Sequence, residues 1–492
     1  MRYAHPIAAG LASAAAALAA VLTAACPAHA GNGNPLDFAA AFRCTADPQA
    51  ASTVPGWTIV SGSPALRCGN ALPAVWPSPG APRVVIANGP YGTSVLERLI
   101  PLQAPASRHR RFTLSASFAA FGRGSDHPVL TGEFLGASGR QLGAAVVLRG
   151  PRAVGRKRPP RFEPRSAAGN IPRGAIEIAL RLELPGKTGV AGSYIAAVRL
   201  ETTPPMHFPP PAPPPARVPR FDHVFVIMME NTDYGQVIGD TKNAPFMNSL
   251  AARGTLLADY QAVYHPSDEN YLAIAGGDTF VGGGVYFPKI HVAAKHLGDL
   301  LEEGGRSWKS YLQGMGTPCN VTTRYDQNYE PDDAPFINFS DIQRNSARCR
   351  AHLVDLSEWF EDLKAATRTP AFAWLAADDY YDGEISGNGS PKSLRVQDAW
   401  LRRTLDPLFA SPAWREQSSL LILTWDESST MANNHIATIV VGSRGTVRSG
   451  YISRRRYDHY STARTVEAAL GLPSMTSNDA YAPAFDDAFV RY

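Results

Sequence analysis

The chain has 492 residues, of which 45% are hydrophobic and 18% charged, with a net charge of +4. That length exceeds what one hydrophobic core usually organises, so two domains are expected. The balanced charge, with no interleaved basic and aromatic motif, excludes nucleic acid as an expected partner, and no segment after the first thirty residues is apolar for long enough to cross a membrane.

Residues 1–30 read as a signal peptide, because Arg2 precedes an alanine and leucine run that ends in Ala28-His29-Ala30. A periplasmic or secreted location is therefore expected. Cys26 raises a lipoprotein as the alternative, but Thr23 rather than leucine stands three positions before it. Removing Cys26 leaves Cys44, Cys68, Cys319 and Cys349. An even number in an oxidising compartment predicts the disulfides Cys44–Cys68 and Cys319–Cys349.

Residues 31–203 are strand-like, with β-rich runs at Arg111 to Ala119, Ala144 to Leu148, Ala175 to Leu182 and Tyr194 to Leu200. Glycine and proline turns between them predict an all-β, jelly-roll-like sandwich. Asn34-Pro35-Leu36-Asp37-Phe38, Pro55-Gly56-Trp57-Thr58 and the closing Tyr194 to Leu200 run resemble galactose-binding-like domains, which implies a cell-surface glycan as partner. A plain structural spacer is the alternative. The basic stretch from Arg149 to Arg165 is read as a solvated loop. Residues 204–219 contain Pro209-Pro210-Pro211-Ala212-Pro213-Pro214-Pro215 and form a proline-rich linker, a semi-rigid spacer in this reading.

From residue 220 to 492 strands alternate with helices. His223 to Met229, Leu420 to Trp425 and Ile436 to Val441 are apolar runs suited to buried strands. Ala293 to Glu303, Leu356 to Ala366, Leu394 to Phe409 and Thr462 to Leu470 have helical spacing. The fold class is therefore α/β, with a sheet covered on both faces. Glu230-Asn231 and Asp426-Glu427 come directly after two of the strands, and carboxyl ends of strands line the crevice of an open α/β sheet. Three carboxylates meeting there repel unless a divalent cation lies between them. A third segment, Tyr264-His265-Pro266-Ser267-Asp268-Glu269-Asn270-Tyr271, offers a serine without a Gly-x-Ser-x-Gly elbow, so metal activation is more economical than a serine-hydrolase triad. Read alone, Ser267 is a helix cap.

Phe225 to Asn231, His265-Pro266-Ser267-x-x-Asn270-Tyr271 with Gly276, Thr424-Trp425-Asp426-Glu427, and His459-Tyr460-Ser461-x-x-Arg464-Thr465-x-Glu467 occur in the order of the bacterial acid phosphatase and phospholipase C family. Residues 218–475 resemble that family. The resemblance implies an alkaline-phosphatase-like α/β/α sandwich and a phosphorylated small molecule or a phospholipid as substrate. It implies one divalent metal ion held by Glu230, Asn231, Asp426 and Glu427, with Ser267 as the nucleophile that also touches the metal. All these ligands offer oxygen, which favours calcium, magnesium or manganese over iron or zinc. His459 and His265 are candidates for a phosphate contact or for protonating the leaving oxygen. Asn270, Tyr381 and Asp382 are candidates for contacting substrate.

The chain departs from the pattern at Glu269, where proline is usual, and at Asp379-Tyr380-Tyr381-Asp382, where Asp-x-His-Asp is common. Ser428-Ser429 succeeds Asp426-Glu427 where glycine is commoner. These departures motivate one alternative of another class, a noncatalytic glycan-binding surface protein with a degenerate domain. Residues 314–350 are expected to form a loop pinned by Cys319 and Cys349, and Arg454-Arg455-Arg456 to draw anionic substrate inward.

Overall fold

The computed structural model describes residues 50–490 apart from 69–83, 90, 103–109, 122–126, 154–160, 188–191, 207, 209–210, 323–327 and 431–432. The signal-peptide segment, Cys26 and Cys44 lie outside the described residues. Cys68 is disulfide-bonded, but its expected partner falls in that undescribed part. Cys319 and Cys349 are bonded as the cysteine count predicts.

Two five-stranded antiparallel sheets form the first half. One runs Thr58–Ser61, Ser94–Pro101, Glu177–Leu184, Val129–Leu135, Val146–Arg149; the other runs Ala65–Cys68, Val84–Ala87, Ser193–Thr203, Arg111–Ala120, Glu163–Asn170. Alternation sets which residues face inward: in Glu177–Leu184 every second side chain (Ile178, Leu180, Leu182, Leu184) is buried. These meet Phe112, Leu114 and Phe118 of the opposite sheet in one apolar core.

The second half is built on a nine-stranded mixed sheet. Its centre has the order Phe372–Ala376, His223–Met229, Ser419–Trp425, Thr438–Gly442, and the first three are mutually parallel. Every residue of His223–Met229 and of Ser419–Trp425 is buried, as a strand covered on both faces requires. Thr255–Gln261 and Tyr451–Asp458 extend the sheet on one side, Trp308–Leu312 and Leu353–Asp355 on the other. The run expected as one strand from Ile436 to Val441 is instead two, His435–Ile436 and Thr438–Gly442. Ile436 pairs with Tyr260 and Ile439 with Leu256, a one-residue slip along Thr255–Gln261, while Thr438 also pairs with Thr424, so an irregularity at Ala437 divides the run. Pro391–Ala410 is the longest helix, opened by the Ser390 cap and Pro391 at its first turn.

Residues 204–222 carry no helix or strand among the described residues, and they are fastened along their path. Met206 and Phe208 pack on the sandwich core, Val218 on the core of the α/β half. Tyr481 donates its hydroxyl to the Pro211 carbonyl at 2.7 Å, and Arg217 N–H donates to Asp486 at 2.8 Å. Gly56 accommodates this strap: a Cβ there would lie 2.6 Å from Pro211 Cβ. Further contacts join the halves directly, including Ala51 N–H to the Val263 carbonyl at 2.9 Å and the Arg456 guanidinium to the Gly62 carbonyl, with Asp259 of its own half holding that guanidinium at 3.2 Å. Arg456 thus belongs to this junction and is not free to steer substrate.

Candidate active site

Register determines the centre of the site. Met229 lies opposite Trp425 on adjacent parallel strands, so the next residues, Glu230 and Asp426, emerge side by side at the sheet's carboxyl edge. The peptides continue to interlock there: Asp426 N–H donates to the Met229 carbonyl at 2.8 Å and Thr232 N–H to the Glu427 carbonyl at 3.1 Å. Asn231 turns with φ 39°, which points its N–H at Asp426 Oδ1, 2.9 Å away. Its side-chain amide donates to Glu230 Oε2 at 2.6 Å.

Ser267 comes from a third segment, at the start of the helix Asp268–Gly276 that comes after Thr255–Gln261. Its hydroxyl makes no capping bond, contrary to the plain helix-cap reading. It donates instead to Glu230 Oε2 at 3.3 Å and hydrogen-bonds Asp426. The convergence of serine and carboxylates expected from the sequence is therefore present. Tyr271, one turn along the same helix, donates its hydroxyl to Glu230 Oε1 at 2.7 Å, a contact that sequence reasoning missed.

The sequence-predicted histidines part company. His459 is fully buried, with Nε2 3.0 Å from the Trp425 carbonyl and Nδ1 3.1 Å from Asn270 Oδ1. Burial pushes its pKa down to about 4, against the opposing pull of the Trp425 carbonyl. A residue so enclosed reaches neither phosphate nor leaving group; it ties the strand before Asp426 to the helix after Ser267. Asn270, also fully buried, accepts from Val263 and Tyr264 N–H and donates to the Tyr264 carbonyl, so it shapes the Ser267 turn and has no face left for substrate. His265 is partly exposed, with Nδ1 2.9 Å from Glu427 Oε2 and Nε2 3.2 Å from the Ser428 carbonyl. Burial lowers its pKa.

Tyr381 does not replace the family histidine in contact terms: its ring lies against Tyr380 and under the Arg403 guanidinium, 5.2 Å from the ring centre. Asp382 does reach the site, and its backbone carbonyl accepts Glu230 N–H at 3.1 Å. Its carboxylate is buried beside Asp333 and Asp379, and its Oδ1 accepts the Glu384 N–H at 2.9 Å. The pinned excursion 314–350 supplies Asp332 and Asp333 through the turn Pro331–Asp333. Among its described residues the excursion carries the short helices Pro335–Asn338, Ser340–Gln343 and Ser346–His352.

The electrostatics are dominated by buried carboxyl groups. Burial first, then Asp426 and Glu384, push the Glu230 carboxyl well above the usual carboxylate range. Asp426 is pushed up to about 6 by burial, held from going higher by hydrogen bonds from Ser267 and Asn231. Asp268 rises to about 9, by burial and then by Asp332. Asp426 Oδ2 is buried with no hydrogen-bond partner. An orphaned carboxylate oxygen on Asp426, with the Ser267 hydroxyl and the Glu230 carboxylate hydrogen-bonded nearby, is oxygen chemistry that a hard divalent cation would fit.

The sandwich half also reaches this place. Asn434 Nδ2 lies 3.2 Å from the Tyr91 hydroxyl, while Asn434 Oδ1 accepts Ser428 N–H at 2.9 Å. Burial and, next, the Glu427 charge raise the Tyr91 pKa.

Fold and site together define an α/β protein with an acidic, serine-bearing centre at the carboxyl edge of its sheet. The sequence profile of the Phosphoesterase family matches residues 240–473. A phosphatidylinositol-3-phosphatase of Mycobacterium tuberculosis is 30% identical over 267 residues, 52% of this chain and 79% of that protein. A "Probable acid phosphatase" of Kluyveromyces lactis is 28% identical over 274 residues, 53% of this chain and 60% of that protein. A solved structure of a protein in the alkaline phosphatase superfamily from Vibrio parahaemolyticus superposes with TM-score 0.40 at 13% identity, covering 56% of this chain and 72% of that one. At that distance no residue role is transferred. The chain belongs to the phosphoesterase family.

Proposed function

We propose that the protein is an exported, metal-dependent phosphoesterase that hydrolyses phosphomonoesters through a phosphoserine on Ser267. The observation that supports this reading is the Ser267 hydroxyl, free of capping duty and directed at Glu230 and Asp426. Glu230, Asn231, Ser267, Asp426 and Glu427 would hold one divalent cation, with calcium, magnesium or manganese favoured by the all-oxygen set. When bound, such an ion lowers the serine pKa and neutralises charge on the phosphate oxygens. Tyr271 and Asn231 hold the Glu230 carboxylate in place through both its oxygens. His459 and Asn270 position the Ser267 turn. Ser267 Oγ forms the bond to phosphorus as the ester oxygen leaves, and water then cleaves the phosphoserine. His265, held by Glu427, would pass a proton to the departing oxygen once its Nε2 leaves the Ser428 carbonyl.

A lipid phosphate is the second reading. Tyr286, 53% exposed, is an aromatic side chain against which an acyl chain would lie. A phosphodiester lipid, as a phospholipase C would cleave, remains the alternative to a lipid monoester. The noncatalytic alternative is disfavoured because the serine and its carboxylates converge. Glycan attachment by the sandwich is a separate proposal, tested by retention on immobilised polysaccharide.

The test is Ser267→Ala assayed on p-nitrophenyl phosphate, a phosphoinositide monoester and phosphatidylcholine, with metal analysis of the same sample. Turnover is expected to fall by on the order of 10³-fold or more while the ion is retained. Undiminished turnover would sink the nucleophile assignment.

A further inference from the structure

Behind the Ser267 centre lies a second acidic group. Asp379 and Asp382 sit three residues apart on the one-turn helix Asp379–Asp382, after the strand Phe372–Ala376, and so share a face. Asp333 approaches them from the turn Pro331–Asp333, whose last carbonyl is fixed by the Trp374 indole N–H at 2.8 Å. Each of the three offers an oxygen within 4.8 Å of the others.

We propose that Asp333, Asp379 and Asp382 hold a second divalent cation of the oxygen-seeking class (magnesium, manganese or calcium), beside the centre formed by Glu230, Asp426 and Ser267. Its existence does not depend on the phosphoesterase reading; only its role does.

An acidic cluster alone would not justify this, and two further observations do. Asp379 is 8% exposed, and its buried Oδ1 has no hydrogen-bond partner. Such an oxygen, desolvated and undonated, is costly unless a cation supplies what water cannot. Among the described residues, moreover, no lysine, arginine or histidine makes a salt bridge with any of the three. The contrast is the group His296, Asp299 and Asp341, which also brings ligand atoms within 4.8 Å. There the Arg348 guanidinium already sits, 2.7 Å from Asp299 and in contact with Asp341. One cluster contains its counter-charge; the other lacks one.

The two centres are adjacent, since the Asp382 carbonyl accepts the Glu230 N–H at 3.1 Å. That adjacency gives the second ion its role. A phosphate dianion approaching Ser267 meets a wall containing Asp333, Asp379 and Asp382, and a cation in that wall turns repulsion into attraction.

The experiment counts ions. Chelator-stripped full chain is titrated with Mn²⁺, and free Mn²⁺ is read by electron paramagnetic resonance. Wild type is expected to take up about two equivalents and Asp379→Asn about one. Asp333→Asn, on a less buried turn, is expected to match it and answers the question if Asp379→Asn fails to fold. Asp426→Asn is expected to keep the second ion, and Asp379→Asn with Asp426→Asn to bind none. The proposal is overturned if wild type binds about one equivalent that Asp379→Asn retains, because the group then lives by sharing protons. It is equally overturned if both Asp379→Asn and Asp333→Asn bind as much as wild type. An unchanged count in Asp426→Asn would instead count against the first centre's metal and leave this one standing.

Discussion

Glu230 shows how a single side chain is made to carry charge inside a protein. Its oxygens take hydrogen bonds from Tyr271, Asn231 and Ser267, yet burial still pushes its proton affinity up. Removing one donor should therefore matter more than its size suggests. Tyr271→Phe is expected to weaken divalent-ion affinity by about 10- to 100-fold, measured by the same Mn²⁺ titration; unchanged affinity would remove Tyr271 from the supporting shell. His459 supplies a pH signature. Its pKa is near 4 when folded and 6.5 when unfolded, so the unfolded chain binds the extra proton between those values. Stability from the neutral imidazole is complete above 6.5 and is lost as pH falls towards 4, by up to about 3 kcal/mol. Urea midpoints of wild type and His459→Asn should converge across that window, and parallel curves would refute the assignment.

At the scale of elements, the excursion 314–350 matters most, because the Cys319–Cys349 bond closes the segment that brings Asp332 and Asp333 to the crevice. A closed loop of 30 residues constrains the unfolded chain by roughly 3.5 kcal/mol. Cys319→Ser with Cys349→Ser is expected to lower the unfolding midpoint accordingly. A change of under about 0.5 kcal/mol would mean the short helices alone hold the excursion. Much of the element order was legible: the seven-residue apolar run His223–Met229 can only be a strand covered on both faces, and the residues just past its end must lie at a carboxyl edge. Glu230, Asn231 and Asp426 could be placed for that reason, and Ser267 only through the family resemblance. Asp333 and Tyr91 could not be placed, since each sits in a segment without periodicity, and only tertiary packing brings Asp333 to Asp379 and Tyr91 to Asn434. His459 and Asn270 misled in the opposite way. They carry chemically capable groups, and only burial reveals that those groups are spent on the backbone. Ile436 to Val441 misled because an apolar run records that a strand is buried, not that its pairing register is unbroken.

For the whole molecule, the acidic crevice makes folding and metal loading one equilibrium. Asp426, Asp379 and Asp268, with folded pKa values near 6, 8 and 9, hold their protons more tightly than the unfolded chain does. Metal-free protein should therefore be most stable near pH 4 and lose stability as pH rises through that range, a larger effect than the opposite slope from His459. A bound cation replaces those protons and should flatten the profile. Thermal unfolding with and without chelator checks this, and a chelated protein more stable at pH 8 than at pH 5 would contradict it. The sandwich half takes part as well, through Tyr91 at Asn434 and Arg456 at Gly62. Tyr91→Phe should reduce kcat/KM by about 2- to 10-fold with little change in unfolding midpoint, the worth of one hydrogen bond. The strap between the halves has a consequence for anyone re-engineering the protein. Fastened at Pro211 and Arg217, and seated on Gly56, it is a measured span, not slack rope. Lengthening it with a flexible insert would add no reach to either half until those fastenings let go, and transplanting the catalytic half onto a foreign N-terminal module would leave their sockets vacant.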